Sequence, residues 1–142
     1  MHAARTQALL CLSSAAADEV HFSVGDALVE AVAGGAPGTA AGGTVNEPLL
    51  EHVLTHTLSV TLVSFRAAER SAAAVWLLAL VRAVGGAAGV GARAVDIHAA
   101  FARLLGEKSQ LAQECAAKVC LCVCVCMPSV RVSCVSRAVR CM

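Results

Sequence analysis

The chain has 142 residues, 58% of them hydrophobic and 3% aromatic, and a formal charge of +1 drawn from 15% charged residues. That length suits one domain whose core is made mostly of Ala, Val and Leu, and the near-neutral charge leaves no electrostatic footprint for nucleic acid or an anionic membrane. The longest apolar run, near Ala72 to Val81, is cut by Arg82 and falls short of the roughly 18–20 residues of a membrane span, so neither nucleic-acid binding nor direct membrane insertion is expected.

The opening MHAARTQALLCLSSAAAD has a basic residue and a brief apolar stretch, ALLCL. A secretory signal needs an apolar region of roughly 7–15 residues, so an ordinary helix is the preferred reading. Asp18 is a candidate cap for a helix running to about Ala33, with Val20, Val24, Ala27, Leu28 and Ala31 sharing one face at spacings of three and four. GGAPGTAAGGTVNE follows, holding five of the eleven glycines and one of the three prolines, and reads as a flexible loop. Asn46 then caps a helix to about Val63, with Pro48 in its first turn and Leu50, Val53, Leu54 and Leu58 inward. A break near Ser64 leads into a helix over 67–84, of which ERSAAAVWLLALVRAV is the densest apolar stretch in the chain. A helix apolar nearly all the way round is buried between neighbours. GGAAGVG at 85–91 ends it, a further helix covers about Ala92 to Leu105, Gly106 stops that one, and another begins near Ser109.

The pattern is an alternation of outer and inner helices. The inner ones align at Val20, Glu69 and Leu111, where VHFSVGDAL, ERSAAAVWL and LAQECAAKV each follow a polar start with small or apolar residues. From Val20 to Glu69 is 49 residues and from Glu69 to Leu111 is 42, which fits the roughly 40–47-residue period of HEAT or armadillo units once the glycine-rich loop is allowed for. The expected fold is therefore all-α, a solenoid of helix pairs. On AAAVWLLALVRAV followed at the right distance by AAFARLLGEKSQLAQECAAK, and more broadly over residues 9–118, the chain resembles the large HEAT-repeat proteasome adaptor and scaffold proteins. The resemblance implies an internal piece of a longer solenoid, a cytoplasmic and also nuclear location, and work done by binding the proteasome and other proteins rather than by catalysis. No binding motif of the family maps residue by residue onto these positions.

The resemblance stops at Lys118, dividing the chain into helical repeats over 1–118 and a separate tail over 119–142. VCLCVCVCMPSVRVSCVSRAVRCM holds six of the eight cysteines and shows no helical period. A T–G dinucleotide repeat encodes alternating Val and Cys, and the AAG–GTG codons available for Lys118 and Val119 match an exon end followed by an intron start, so a translated intron is the expectation. In an extended segment Cys120, Cys122, Cys124 and Cys126 would share one face and offer thiolates to Zn(II) or Cu(I). Structural zinc sites, however, space their ligands C-x(2–4)-C in two pairs. Disulfides between cysteines two apart are geometrically disfavoured, and palmitoylation of the cluster is a further option. A small thiol-rich metal-binding protein, or a truncated product without function, is thus the alternative to the scaffold.

Before Lys118 the candidates for chemistry are sparse. His52 and His56 have the i, i+4 spacing of zinc ligands in H-E-x-x-H, but Val53 follows His52 and no third ligand is evident, so they read as helix surface. Gly85, Gly86, Gly89 and Gly91 follow a helix and lack a closing Lys-Ser/Thr, which makes them a connector and not a phosphate loop. Ser71, Asp26 and His98 supply the residue types of a triad with nothing to bring them together. Cys115 reads as a small core residue and Trp76 as core. No catalytic, cofactor-binding or metal-ligating residue is expected, and no cofactor.

Overall fold

The computed structural model describes residues 2–34 and 44–126, with side chains described from residue 4 to residue 118 outside that gap. The described residues form seven α-helices and no strand: α1 His2–Leu10, α2 Asp18–Ala33, α3 Glu47–His56, α4 Ala67–Val84, α5 Ala88–Ala92, α6 Ala94–Leu104 and α7 Gln110–Cys126. The all-α expectation is met. Most of the loop over 34–47 lies outside the described residues, as does the tail beyond Cys126.

The ends of α2 follow from backbone chemistry. Ala17, extended at φ −93° and ψ 121°, is the N-cap, so Asp18 is the first helical residue and not the cap. Its carboxylate, with that of Glu19, still sits in the first turn, where the helix dipole favours negative charge. Gly34 closes the helix in the left-handed region at φ +60°, its N–H donating to the Glu30 carbonyl, a conformation in which a Cβ is penalised. The backbone N–H of Asn46 donates to the Val32 carbonyl at 2.8 Å, which ties the start of α3 to the end of α2. Asn46 caps α3 as expected, its Oδ1 accepting from the N–H of Leu49 at 3.2 Å.

Beyond His56 the chain widens into a π-turn over Thr57–Thr61. The Thr57 hydroxyl donates to the Val53 carbonyl at 2.7 Å, and the Leu62 N–H reaches back five residues to the Thr57 carbonyl. A side-chain hydroxyl competing for helix carbonyls is a physical reason for such a local widening. The break at Ser64 is a turn in which the Arg66 N–H donates to the Ser64 hydroxyl, after which α4 starts.

The core sits around α4. Eleven of its residues are buried, Ser71 through Leu78 without interruption and then Leu80, Val81 and Val84. A helix buried on more than one side requires neighbours on more than one side, and α4 packs most extensively on α2 and on α7. Along the first contact the Trp76 indole Nε1 donates to the His21 carbonyl at 3.1 Å, and one turn on, Gly25 lies against Trp76, Val75 and Ala79, so α2 and α4 advance in the same direction. At the second, Arg70 Nε stands 2.8 Å from Glu107 Oε1 and the Ser71 hydroxyl 3.0 Å from that of Ser109, which sets the first turns of α4 and α7 side by side. Helix α6 packs on α7, α1 on α2, and the π-turn on α4.

Besides the cap of α2, four elements differ from the sequence expectation, the first being α3, which ends at His56 and passes into the π-turn where a single helix to about Val63 was expected. The buried face of α2 is His21, Val24, Gly25, Leu28 and Val32; Val24 and Leu28 lie on it as expected, Val20 and Ala31 only border the core, and Ala27 is partly covered. The glycine-rich run holds a short helix, α5, separated from α6 at Arg93, where a single helix from Ala92 was expected. The backbone remains helical past Lys118 to Cys126, so over these residues the extended alternation of Cys and Val does not form. Helix propagation adds a hydrogen bond for each residue fixed, and the first strong breaker in the sequence after Gln110 is Pro128.

Candidate interaction surface

Two polar clusters hold the helix ends. Arg93, between α5 and α6, donates from Nη1 to Asp96 Oδ2 at 3.1 Å and from Nη2 to the Thr55 hydroxyl at 2.6 Å, with Glu51 Oε1 3.1 Å away. Nearby, Glu47 Oε2 accepts the Gly89 N–H at 3.0 Å. A Cβ at Gly89 would stand 2.7 Å from that same oxygen, so glycine is what lets the carboxylate cap α5. These bonds join α3 to α5 and α6.

The second cluster is centred on Arg70. Its Nη1 donates to the Ser64 carbonyl at 2.8 Å and its Nη2 to Glu107 Oε2 at 3.1 Å, so one guanidinium clamps both the α4 entry turn and the α6–α7 turn. The planar fork of Arg suits this double task. Held by this clamp, Phe65 is fully exposed, and Val60 and Val63 beside it in sequence are half exposed. Leu105 on the α6–α7 turn is exposed as well. The chemistry such a corner supports is apolar contact with another macromolecule.

The residues singled out in the sequence fall as follows. Trp76 has 0% relative exposure and is core. Cys115 is buried; burial pushes its thiol pKa up, against the lowering charge of Lys118 and alongside the raising charges of Glu114 and Asp18, so it is a poor nucleophile. Ser71 is buried with its hydroxyl on that of Ser109, while Asp26 is exposed on α2 and His98 lies on α6. Gly85, Gly86, Gly89 and Gly91 join α4 to α6 through α5, with no preceding strand. His52 is exposed on α3 and His56 is partly covered, its Nδ1 3.4 Å from the Thr61 hydroxyl. Burial lowers the pKa of His56 below 6.5, and the charge on His52 lowers it further. The side chains of Cys120, Cys122, Cys124 and Cys126 lie outside the described residues. Among the described residues no group of three His, Cys, Asp or Glu side chains is placed to hold a metal ion, and no helix is long and apolar enough to cross a membrane.

Sequence reasoning missed two residues that the structure makes prominent. His21 is completely buried at the α2–α4 contact; neither ring nitrogen has a hydrogen-bond partner among the described residues, and Asp18 Oδ1 stands 4.0 Å from Nδ1. Phe65 follows the break expected near Ser64. Its signal was available: Val60, Val63 and Phe65 are three large apolar residues off the inward stripe of Leu50, Val53, Leu54 and Leu58. Compared with protein-family models, with curated proteins and with solved structures, the chain matches none.

Proposed function

We propose that the chain is a non-enzymatic scaffold segment, a stretch of HEAT-like helix pairs that works through protein–protein contacts and binds the proteasome, in the cytoplasm and the nucleus. The observation that carries this reading is the position of α4, buried along its length between α2 and α7. These are the three helices that the sequence pattern aligns at Val20, Glu69 and Leu111. In a solenoid the inner helices stack on one another from unit to unit while each outer helix packs on its own inner partner. Supporting that assignment, α1 lies on α2, the π-turn at the end of α3 lies on α4, and α6 lies on α7. The proteasome as partner rests on the resemblance of residues 9–118 to the adaptor family.

Scaffolds of this kind bind through surface residues carried on a rigid frame, and the exposed Phe65 follows Ser64, whose carbonyl Arg70 holds. The test is co-sedimentation of the full-length chain with purified proteasomes. The chain should travel with the particle and Phe65→Glu should release it, with the circular dichroism of the variant unchanged because Phe65 contributes no buried area. Failure of the unmodified chain to co-sediment at concentrations that would saturate a micromolar complex would overturn the proteasome assignment.

A further inference from the structure

We propose that His52 and His56 form a two-histidine site for a divalent transition-metal ion of the Zn(II), Ni(II) or Cu(II) kind on the exposed side of α3. Side chains four residues apart on an α-helix stand one turn above the other, with Cβ atoms about 5–6 Å apart. Helix α3 is regular through His56, and the π-turn starts only at Thr57, so the pair keeps that geometry. The spacing alone is a common accident of helices. What sets this pair apart is the environment of the second ring.

The hydroxyl of Thr61, itself buried, stands 3.4 Å from His56 Nδ1. It reaches there because the π-turn brings residue 61 back under residue 56. A histidine that ligates a metal through one nitrogen is oriented by a polar partner on the other, which fixes both the tautomer and the plane of the ring. Thr61 is such a partner: when its hydroxyl accepts from Nδ1–H, the lone pair of His56 is on Nε2. His52, exposed one turn earlier, supplies the second imidazole. Imidazole nitrogen suits Zn, Cu and Ni, whereas Mg(II) and Ca(II) require oxygen ligands. Water completes the coordination shell, because among the described residues no third protein ligand is placed beside the pair.

The experiment uses the full-length chain with Cys11, Cys120, Cys122, Cys124, Cys126, Cys134 and Cys141 each replaced by Ser, which leaves the buried Cys115, so that thiolates do not compete for the probe, which is Zn(II) itself. Calorimetric titration should show one equivalent bound, unaffected by excess Mg(II), and the imidazole nitrogen resonances of His52 and His56 should shift together in nuclear magnetic resonance spectra. His52→Ala, on an exposed helical position, should leave the circular dichroism unchanged and weaken binding at least tenfold. Zinc affinity indifferent to His52→Ala, an absence of measurable binding, or a shift confined to one of the two rings would each overturn the site.

Discussion

Replacing Trp76 by Ala tests the arrangement at its centre. The indole is fully buried, its Nε1 bonded to the His21 carbonyl at 3.1 Å and its Cδ1 within 3.5 Å of where a Cβ on Gly25 would lie. A buried Trp removes roughly 150–250 Å² from water, which at about 25 cal/mol per Å² is about 4–6 kcal/mol as an upper bound. Measured losses for Trp or Phe to Ala in cores are about 3–5 kcal/mol, cavity included, and the indole bond accounts for about 1 kcal/mol of that. Trp76→Ala should therefore cost about 4–5 kcal/mol, a large share of the 5–15 kcal/mol typical of a domain. Trp76→Phe keeps most of the apolar contact but loses the hydrogen bond, and should cost about 1–2.5 kcal/mol. The assay is denaturant unfolding followed by far-ultraviolet circular dichroism, because Trp76 is the single tryptophan and the variants have no indole fluorescence to follow. A loss below about 1 kcal/mol for Trp76→Ala would refute the burial of α4 between two helices.

Gly25→Ala should stabilise the fold by about 0.5–1 kcal/mol in the same assay, since the new methyl would meet Ala79 and Trp76 at an ordinary 3.5 Å in a helix interior; a destabilised variant would mean that α2 and α4 pack more closely than described. Asn46→Ala removes the acceptor for the Leu49 N–H and should cost about 1 kcal/mol, with Asn46→Ser restoring most of it. The pKa of His56 is lowered in the folded chain from 6.5, by burial first and His52 second. Protonation is then easier in the unfolded chain, so the contribution of His56 is complete above the ordinary histidine range and is lost as pH falls through the lowered folded value. Unfolding free energies measured between neutral and mildly acidic pH should rise with pH, and His56→Gln should flatten that part of the slope; an unchanged slope would show that another group is responsible.

The helices themselves were legible in the sequence because their signals are local. Apolar periodicity places α2 at residues 18–33 and α4 at residues 67–84, Asn46 with Pro48 marks the start of α3, and Gly34 and Gly106 mark stops. The near-continuous apolar run of α4 also implied neighbours on several sides, which α2 and α7 supply. The i, i+4 spacing of His52 and His56 was legible as well.

What the tertiary structure decided depends on groups far apart along the chain or on choices that periodicity leaves open. The face of α2 turns to His21 and Gly25 because Trp76, 55 residues after His21, needs a close approach and a carbonyl to bond. A helix forms within the glycine-rich connector because Glu47, 42 residues before Gly89, supplies the acceptor for its N–H. The turns at Ser64 and Glu107 are fixed by one guanidinium, which no local pattern foretells. Thr61 becomes a partner of His56 only because the helix widens between them. Periodicity records how often a residue faces inward, and it carries no information about which neighbour will be there. That is settled when side chains from distant segments compete for the same buried volume and the same backbone carbonyls.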